Sequence, residues 1–237
     1  TETPLGGLRR HRATALAAAP GFAEGAWWPQ DAAAALPARL LGDVAGRRVL
    51  DLCAAPGGKT LQLAAAGARV TALDISADRM ARMRENLART GLSAELVVAD
   101  ALDWRPTEPF DAVLLDAPCT ATGTIRRHPD LPHLRRESDV AALTALQDRL
   151  LDAAWAAAAP GGRLVFATCS LLPEEGERRA AAFRARTRDA RSAPVTVADT
   201  ADPALLTPEG DLRTRPDHWP ALGGLDGFFA ARFDKAG

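Results

Sequence analysis

Short apolar segments alternate with helical segments from Arg47 onward, and this alternation constrains the fold more than any other feature of the sequence. The apolar segments are nearly continuous, as in strands that are buried on both faces. Helical stretches between such strands are typical of a parallel sheet covered by helices on both sides. The sequence therefore predicts an α/β fold with strands at residues 47–52, 69–74, 94–100, 110–116 and 163–169.

The helices between these strands have recognisable ends. Ser76 is a good N-cap and Gly91 a good residue to follow the last turn, so a helix is predicted between them. A second long helix is predicted over residues 138–159. A third is expected to begin near Pro173, because the glutamates that follow suit the positive end of a helix dipole.

The two ends of the chain carry weaker signals. Residues 1–45 have no strand pattern and are predicted to form an amino-terminal extension with a short helix interrupted by Pro37. The domain proper is expected to span residues 46–237. Near its end, residues 227–233 predict a final strand at the edge of the sheet.

The composition limits the class of protein. A chain of 237 residues with 47% hydrophobic residues can bury its own core, and we expect one domain and a monomer. Three cysteines without the close pairing of a disulfide or zinc framework indicate a reducing compartment. The sequence has no pattern of a membrane span or signal peptide, so we expect a cytoplasmic protein without a membrane partner. With a net charge of −1, any contact with nucleic acid must be local.

A glycine turn and four carboxylates indicate a ligand crevice. The first predicted strand runs directly into CAAPGGKT (residues 53–60), where a turn opens a helix and backbone N–H groups can approach a ligand. Asp51, Asp74, Asp100 and Asp116 each lie at or near the carboxyl end of a predicted strand. Parallel strands bring these ends to one edge of the sheet, where open α/β folds bind nucleotides.

Two cysteines are candidates for covalent chemistry. Cys119 and Cys169 lie just past predicted strand ends, in the turn-rich segments DAPCTATGTIRRHPD and FATCSLLPEEGE. A packing cysteine is expected inside an apolar run instead. We therefore expect two thiols at the ligand-binding edge of the sheet.

Five segments of the chain form a recognisable set: DLCAAPGGKT, ALDIS, VVADALDW, DAPCTATGTIRRHPD and ATCSLLPEEGE. Together they resemble the Sun-type RNA cytosine-5 methyltransferases, above all the RsmB group, which acts on small-subunit ribosomal RNA. The most specific element is the presence of both a Pro-Cys and a Thr-Cys-Ser motif. The resemblance implies a Rossmann-like class I methyltransferase fold: a mostly parallel seven-stranded sheet with a reversed edge strand and helices on both faces. It also implies S-adenosylmethionine as cofactor and RNA, most of all 16S ribosomal RNA, as substrate.

The resemblance also assigns roles to residues at matching positions. It implies that Cys169 is the nucleophile and that Cys119 assists product release. The sequence departs from the family pattern at Thr120-Ala121, where serine-glycine is common. The RNA-binding domain that usually precedes the catalytic domain in RsmB-like proteins is not expected in this sequence. The residues implied to surround the cofactor are Cys53, Ala54, Ala55, Pro56, Gly57, Gly58, Lys59, Asp74, Asp100 and Asp116.

Two thiols suit methylation at C5 of cytosine. This carbon is a poor nucleophile until a thiolate adds to C6, and after transfer the C5 proton must leave and the thiol be expelled. Because a free thiol is weakly ionised at neutral pH, the site should supply a base or a favourable dipole, and Asp116 is the nearest candidate in sequence. Alternatively, Asp116 hydrogen-bonds the amino edge or ring nitrogen of cytosine. Position alone leaves the attacking thiol open, and the resemblance favours Cys169.

Basic residues next to the Pro-Cys loop are candidates for gripping RNA phosphates. Six arginines within residues 178–191 could do the same, although an arginine-rich helix face is more often only solvated. The target cytosine must be unpaired or flipped out, because neither thiol can reach C6 inside a stacked helix. The predicted RNA-binding residues are Arg126, Arg127, His128, Arg135 and Arg136.

Other functions are compatible with the same fold. The closest alternative is a transfer RNA cytosine-5 methyltransferase. A second is a non-catalytic RNA-binding or ribosome assembly factor, against which the intact Cys119 and Cys169 argue. A small-molecule methyltransferase would not need both cysteine motifs.

Overall fold

The structure is a computed structural model that describes residues 1–9 and 15–237. Residues 10–14 of the predicted extension lie outside the described part. The strands in the described part are β1 (Arg48–Leu52), β2 (Arg69–Asp74), β3 (Glu95–Val98), β4 (Phe110–Asp116), β5 (Ala158–Thr168), β6 (Ala190–Ser192), β7 (Leu212–Arg213) and β8 (Phe229–Lys235). The α-helices are α1 (Ala32–Arg39), α2 (Gly58–Ala65), α3 (Ala77–Thr90), α4 (Leu131–Leu134), α5 (Glu137–Ala157), α6 (Glu177–Arg186) and α7 (Val197–Thr200).

The strands form one mixed sheet in the order β3-β2-β1-β4-β5-β8-β6, and β7 also pairs with β8. Every pair of adjacent strands among β1 to β5 is parallel. Strand β8 is antiparallel to β5, β6 and β7. The predicted α/β fold with a mostly parallel sheet is therefore confirmed, and the carboxyl ends of β1 to β5 lie along one edge.

The part of the sheet beyond β5, which contains β8, β6 and β7, differs from the prediction in two respects. The described sheet has eight strands rather than seven, because β7, a strand of only two residues, pairs with β8. The expectation that residues 227–233 form an edge strand is wrong, since β8 lies between β5 and β6. Residues 229–233 are all buried, as is typical of an interior strand. Strands β6 and β7 are too short to produce a sequence pattern of their own.

The helix ends in the structure lie close to those predicted from the sequence. The Ser76 hydroxyl accepts a hydrogen bond from the Arg79 N–H at 3.3 Å, and Gly91 ends α3 with φ of +66°. Helix α5 ends at Ala157, earlier than predicted, and β5 begins at the next residue. A single 3-10 turn over Pro173–Glu175 precedes α6.

The core lies on both faces of the sheet. Leu50 and Leu52 of β1 belong to a core cluster that includes side chains of α5 and α6, whereas Val49 belongs to the cluster on the opposite face, with Leu36 of α1. Pro37 does not interrupt α1, which continues to Arg39. The segment before residue 45 thus contributes to the core, and the domain boundary there stays a prediction. None of the helices in the described ranges has the length and apolar character needed to cross a membrane.

Candidate active site

The two predicted thiols lie side by side. Strands β4 and β5 are neighbours in parallel register, with Asp116 opposite Ala167. Cys169 follows directly after β5, and Cys119 lies three residues after the end of β4. The Sγ atoms are 3.5 Å apart, and both side chains are half-buried. The sheet register thus brings together two residues that are fifty positions apart in sequence.

The thiol contact distinguishes the two cysteines chemically. The hydrogen bond with Cys169, together with burial, raises the pKa of the Cys119 thiol well above its ordinary value. Cys119 therefore keeps its proton and lies within hydrogen-bond distance of the Cys169 sulfur. A protonated Cys119 beside Cys169 suits the assisting role that the family resemblance implies for Cys119.

The third cysteine has a different environment. Cys53 begins the turn after β1 and adopts a left-handed conformation with φ of +60°. Burial, followed by the charges of Asp116 and Asp74, raises the pKa of its thiol far above the ordinary value. A thiol that stays protonated is a poor nucleophile, which argues against Cys53 as the attacking residue.

Close backbone packing holds the cysteine loops. The Gly123 N–H donates to the Cys169 carbonyl oxygen at 2.9 Å, and the Gly227 N–H donates to the Gly123 carbonyl oxygen at 2.7 Å. A Cβ atom on Gly123 would lie 1.8 Å from the carbonyl oxygen of Gly227, so only glycine fits there. In the same loop, Ala121 has φ of +59°, a conformation that favours glycine.

The glycine turn follows directly after the carboxyl end of β1. It comprises Cys53, Ala54, Ala55, Pro56 and Gly57, and leads into Gly58 and Lys59 at the start of α2. Gly57 has φ of +104°.

Asp74 anchors this turn to the end of β2. Its Oδ2 accepts from the Ala55 N–H at 3.1 Å, and its Oδ1 accepts from the Ser76 N–H at 2.9 Å. The side chain is almost fully buried, so Asp74 shapes the turn as well as lining its edge.

Lys59 and Asp116 form an ion pair across the crevice. Lys59 Nζ lies 2.7 Å from Asp116 Oδ2 and 5.1 Å from the centre of the Phe228 ring. Burial alone would lower the pKa of Lys59, but the charge and hydrogen bond of Asp116 outweigh it and raise that pKa. The amine therefore stays protonated. The ion pair fixes the position of the Asp116 carboxylate at the end of β4, beside Lys59.

The remaining two carboxylates differ in exposure. Asp51 is fully buried and accepts from the Thr60 hydroxyl at 2.6 Å. Burial raises its pKa to about 7, against the opposing effects of Thr60 and Lys59. Asp100 is half-buried, and its Oδ1 accepts from the Leu102 N–H at 2.8 Å.

The structure adds three residues that sequence reasoning missed. Ile75 and Val98 are 70% and 50% exposed, and they lie at the ends of β2 and β3 beside the carboxylates. Large exposed apolar side chains at the mouth of a crevice suit the face of a flat ring. For Ile75, the signal available was an apolar residue directly after a strand-end aspartate. The third is Glu175, which sequence reasoning treated only as a charge at a helix start.

Two of the predicted RNA-binding arginines bond to a buried carboxylate. Arg127 Nε and Arg126 Nη2 donate to the Asp226 carboxylate, at 2.9 and 3.1 Å respectively. Arg126 also pairs with Asp31 at 2.7 Å. Desolvation, followed by the charge of Asp226, raises the pKa of Asp31. These arginines join the Pro-Cys loop to the segment before β8, and their contact with RNA stays a prediction.

The other predicted RNA-binding residues lie on the same surface. Arg135 Nε donates to the Thr120 carbonyl oxygen at 2.8 Å, and His128, Arg135 and Arg136 are exposed. Four arginines of the 178–191 cluster are engaged in ion pairs with acidic side chains instead: Arg178 with Glu174, Arg179 with Asp148, Arg184 with Asp211, and Arg186 with Asp148 and Asp152.

Comparison with known proteins identifies the family. The sequence model described as 16S rRNA methyltransferase RsmB/F matches residues 38–234, which is most of the chain. The chain belongs to the RsmB/F family. The ribosomal RNA small subunit methyltransferase B of Pseudomonas syringae pv. tomato is 48% identical over 223 residues, which are 91% of this chain and 49% of that protein. The chain thus spans about half the length of the curated relatives it matches.

Solved structures support the Rossmann-like methyltransferase fold. NSun6 from Pyrococcus horikoshii with SFG has a TM-score of 0.79 and 29% identity, covering 94% of this chain and 57% of that one. A methyltransferase homologue from the same organism has a TM-score of 0.78 and 31% identity, covering 94% and 73%. The predicted family and fold class are confirmed.

Proposed function

We propose that this RsmB/F chain methylates C5 of a cytosine in 16S ribosomal RNA, with S-adenosylmethionine as the methyl donor. The observation that carries the proposal is the 3.5 Å contact between the Cys119 and Cys169 sulfur atoms beside a crevice lined with carboxylates. Methylation at a pyrimidine carbon needs one group to add to the ring and another to help resolve the adduct. The family and the curated relatives named for ribosomal RNA support the choice of substrate.

The crevice fits the proposed donor. The turn from Cys53 to Lys59 lies at the carboxyl end of β1, and Asp74, Asp100 and Asp116 offer acceptors for ribose hydroxyl, amino and ammonium groups. The exposed side chains of Ile75 and Val98 suit an adenine ring. When bound there, the donor would supply a methyl group bonded to a positively charged sulfur.

The protein supplies the activation of cytosine. The Cys169 thiolate adds to C6, which makes C5 electron-rich enough to take the methyl group. A water molecule then takes up the C5 proton, the electrons of the C5–H bond re-form the C5–C6 double bond, and the C6–S bond breaks so that Cys169 departs as the thiolate. Cys119, which holds its proton in the hydrogen bond with Cys169, is placed to assist that departure. Asp116, tied to Lys59, hydrogen-bonds the cytosine edge.

RNA reaches the crevice as a flipped or unpaired nucleotide, which costs a few kcal/mol of unstacking. The exposed basic residues around the Pro-Cys loop, Arg126, Arg127, His128, Arg135 and Arg136, contact its phosphates. A ribosomal substrate also implies a cytoplasmic protein.

Incorporation of a labelled methyl group tests the proposal. The protein is incubated with methyl-labelled S-adenosylmethionine and either 16S ribosomal RNA or transfer RNA, and the digested nucleosides are analysed. We expect label in 5-methylcytidine from ribosomal RNA and none with Cys169→Ala. Label in transfer RNA alone would support the alternative substrate, and RNA binding without label would indicate a non-catalytic factor.

A further inference from the structure

Glu175 is a fully buried carboxylate at the junction of the two cysteine loops. Its Oε1 accepts from the Thr120 backbone N–H at 2.9 Å, and its Oε2 accepts from the Thr120 hydroxyl at 2.5 Å and the Ser170 hydroxyl at 2.6 Å. The side-chain amide of Gln147, on α5, donates to Oε1 at 3.2 Å. One carboxyl group therefore accepts from three different segments of the chain.

Two hydrogen-bond partners of Glu175 lie next to the two cysteines in sequence. Thr120 directly follows Cys119, and Ser170 directly follows Cys169. The same Gln147 amide also donates to the carbonyl oxygen of Pro118, the residue before Cys119, at 2.9 Å. Glu175 thus bonds the neighbour of each thiol.

The backbone of the Glu175 turn is fastened as well. Its carbonyl oxygen accepts from the hydroxyl of Thr168, the last residue of β5, at 3.0 Å. On the far side of the Thr-Cys-Ser loop, Arg213 Nη1 donates to the Ser170 carbonyl oxygen at 2.5 Å. These bonds fix the position of the Glu175 turn, and the Thr120 and Ser170 bonds hold the two cysteine loops against the Glu175 carboxylate.

We propose that Glu175 is a positioning residue that fixes the relative placement of Cys119 and Cys169. The assignment rests on the proposed function, in which one sulfur adds to the ring and the other helps to release it. Burying a carboxylate costs free energy, and apolar replacements of buried charges are often more stable. The four donors around Glu175 offset that cost, and three of them belong to the two thiol loops: the N–H and hydroxyl of Thr120 and the hydroxyl of Ser170.

The test compares Glu175→Gln with Glu174→Gln. Glutamine has the shape of glutamate but replaces one acceptor oxygen with a donor, so it cannot accept from all the groups that surround Glu175. Glu174 precedes it in the same turn and, within residues 1–9 and 15–237, pairs only with Arg178 at the surface, which makes Glu174→Gln the matched control.

Thiol placement is measured without RNA, by the affinity for phenylarsine oxide. The arsenic of this reagent bonds to two adjacent thiols, and its oxygen leaves as water with their two protons. We expect wild type and Glu174→Gln to bind equally well, and Cys119→Ser to bind poorly. We expect roughly tenfold weaker binding by Glu175→Gln. Methyl transfer to RNA by that variant should fall roughly 10²-fold in kcat, with little change in KM for RNA, because misplaced reacting groups slow the chemical step.

Thr120 provides a second pair of variants in case Glu175→Gln folds poorly. Thr120→Val removes the hydroxyl at nearly constant shape, whereas Thr120→Ser keeps it. The valine variant should lose arsenical affinity and kcat, and the serine variant should recover both.

The outcomes separate the two proposals. Wild-type arsenical affinity in both Glu175→Gln and Thr120→Val would overturn the role of Glu175, as would a wild-type protein that does not bind the reagent. The expected affinity differences in a protein that transfers no methyl group to RNA would support the positioning role and refute the proposed function.

Discussion

The buried carboxyl group of Asp51 makes a quantitative prediction about stability. Asp51 lies near the end of β1, is inaccessible to solvent and accepts a single hydrogen bond from the described part of the chain, that of Thr60. Burial raises its pKa from 3.8 to about 7 in the folded protein. In the unfolded chain it titrates as an ordinary aspartate, at about 3.9.

The sign and size of the effect follow from the two pKa values. Between pH about 4 and about 7 the folded protein holds a proton that the unfolded chain has lost, so stability falls as the pH rises through this window. A difference of about three pKa units, each about 1.4 kcal/mol, amounts to about 4 kcal/mol. Asp51→Asn cannot titrate, so its stability relative to wild type should rise by about 4 kcal/mol between pH about 4 and about 8.

Urea unfolding followed by tryptophan fluorescence at both pH values measures this double difference. Any constant cost of the new amide group cancels in it. Because the Thr60 hydroxyl lowers the pKa of Asp51, Thr60→Val should enlarge the pH dependence of a protein that retains Asp51. Parallel pH profiles of stability for wild type and Asp51→Asn would show that burial does not raise the pKa of Asp51.

Three further substitutions test the loops around the site. Ala121 is in a left-handed conformation that costs alanine roughly 1–2 kcal/mol, so Ala121→Gly should raise the unfolding free energy by about 1 kcal/mol; a lower urea midpoint would contradict this. Gly123→Ala forces the loop away from the Gly227 carbonyl, so methyl transfer should fall roughly 10²-fold; full activity in a folded variant would show that the loop position is not critical. Lys59→Met leaves Asp116 without its partner and should cost about 2 kcal/mol in urea unfolding, partly recovered in the double variant with Asp116→Asn; additive effects would argue against coupling.

Much of the sheet could be predicted from the sequence, because strands buried on both faces form continuous apolar runs. The ends of α3 could also be predicted from the sequence, since Ser76 and Gly91 are strong local signals. The position of β8 was not predictable in this way. Its place inside the sheet depends on pairing with β6 and β7, which are too short to be recognised along the chain.

The site was predictable in part for the same reason. Cys119 and Cys169 follow adjacent parallel strands, so their proximity follows from strand order and register. The role of Glu175 could not be seen, because a glutamate at a helix start gives no sign that two distant loops supply its donors. Similarly, nothing in the sequence links Arg127 to Asp226, since their ion pair joins segments far apart in the chain.

The assignment of the two thiols is tested most directly by trapping the protein on RNA. Cys119→Ser and Cys169→Ser are each incubated with RNA and S-adenosylmethionine, and protein–RNA adducts are resolved on a denaturing gel. If Cys169 adds to the ring and Cys119 assists its release, the Cys119→Ser protein accumulates an adduct and the Cys169→Ser protein forms none. Adduct in the Cys169→Ser protein alone would reverse the roles, and no adduct in either would contradict covalent catalysis by this pair.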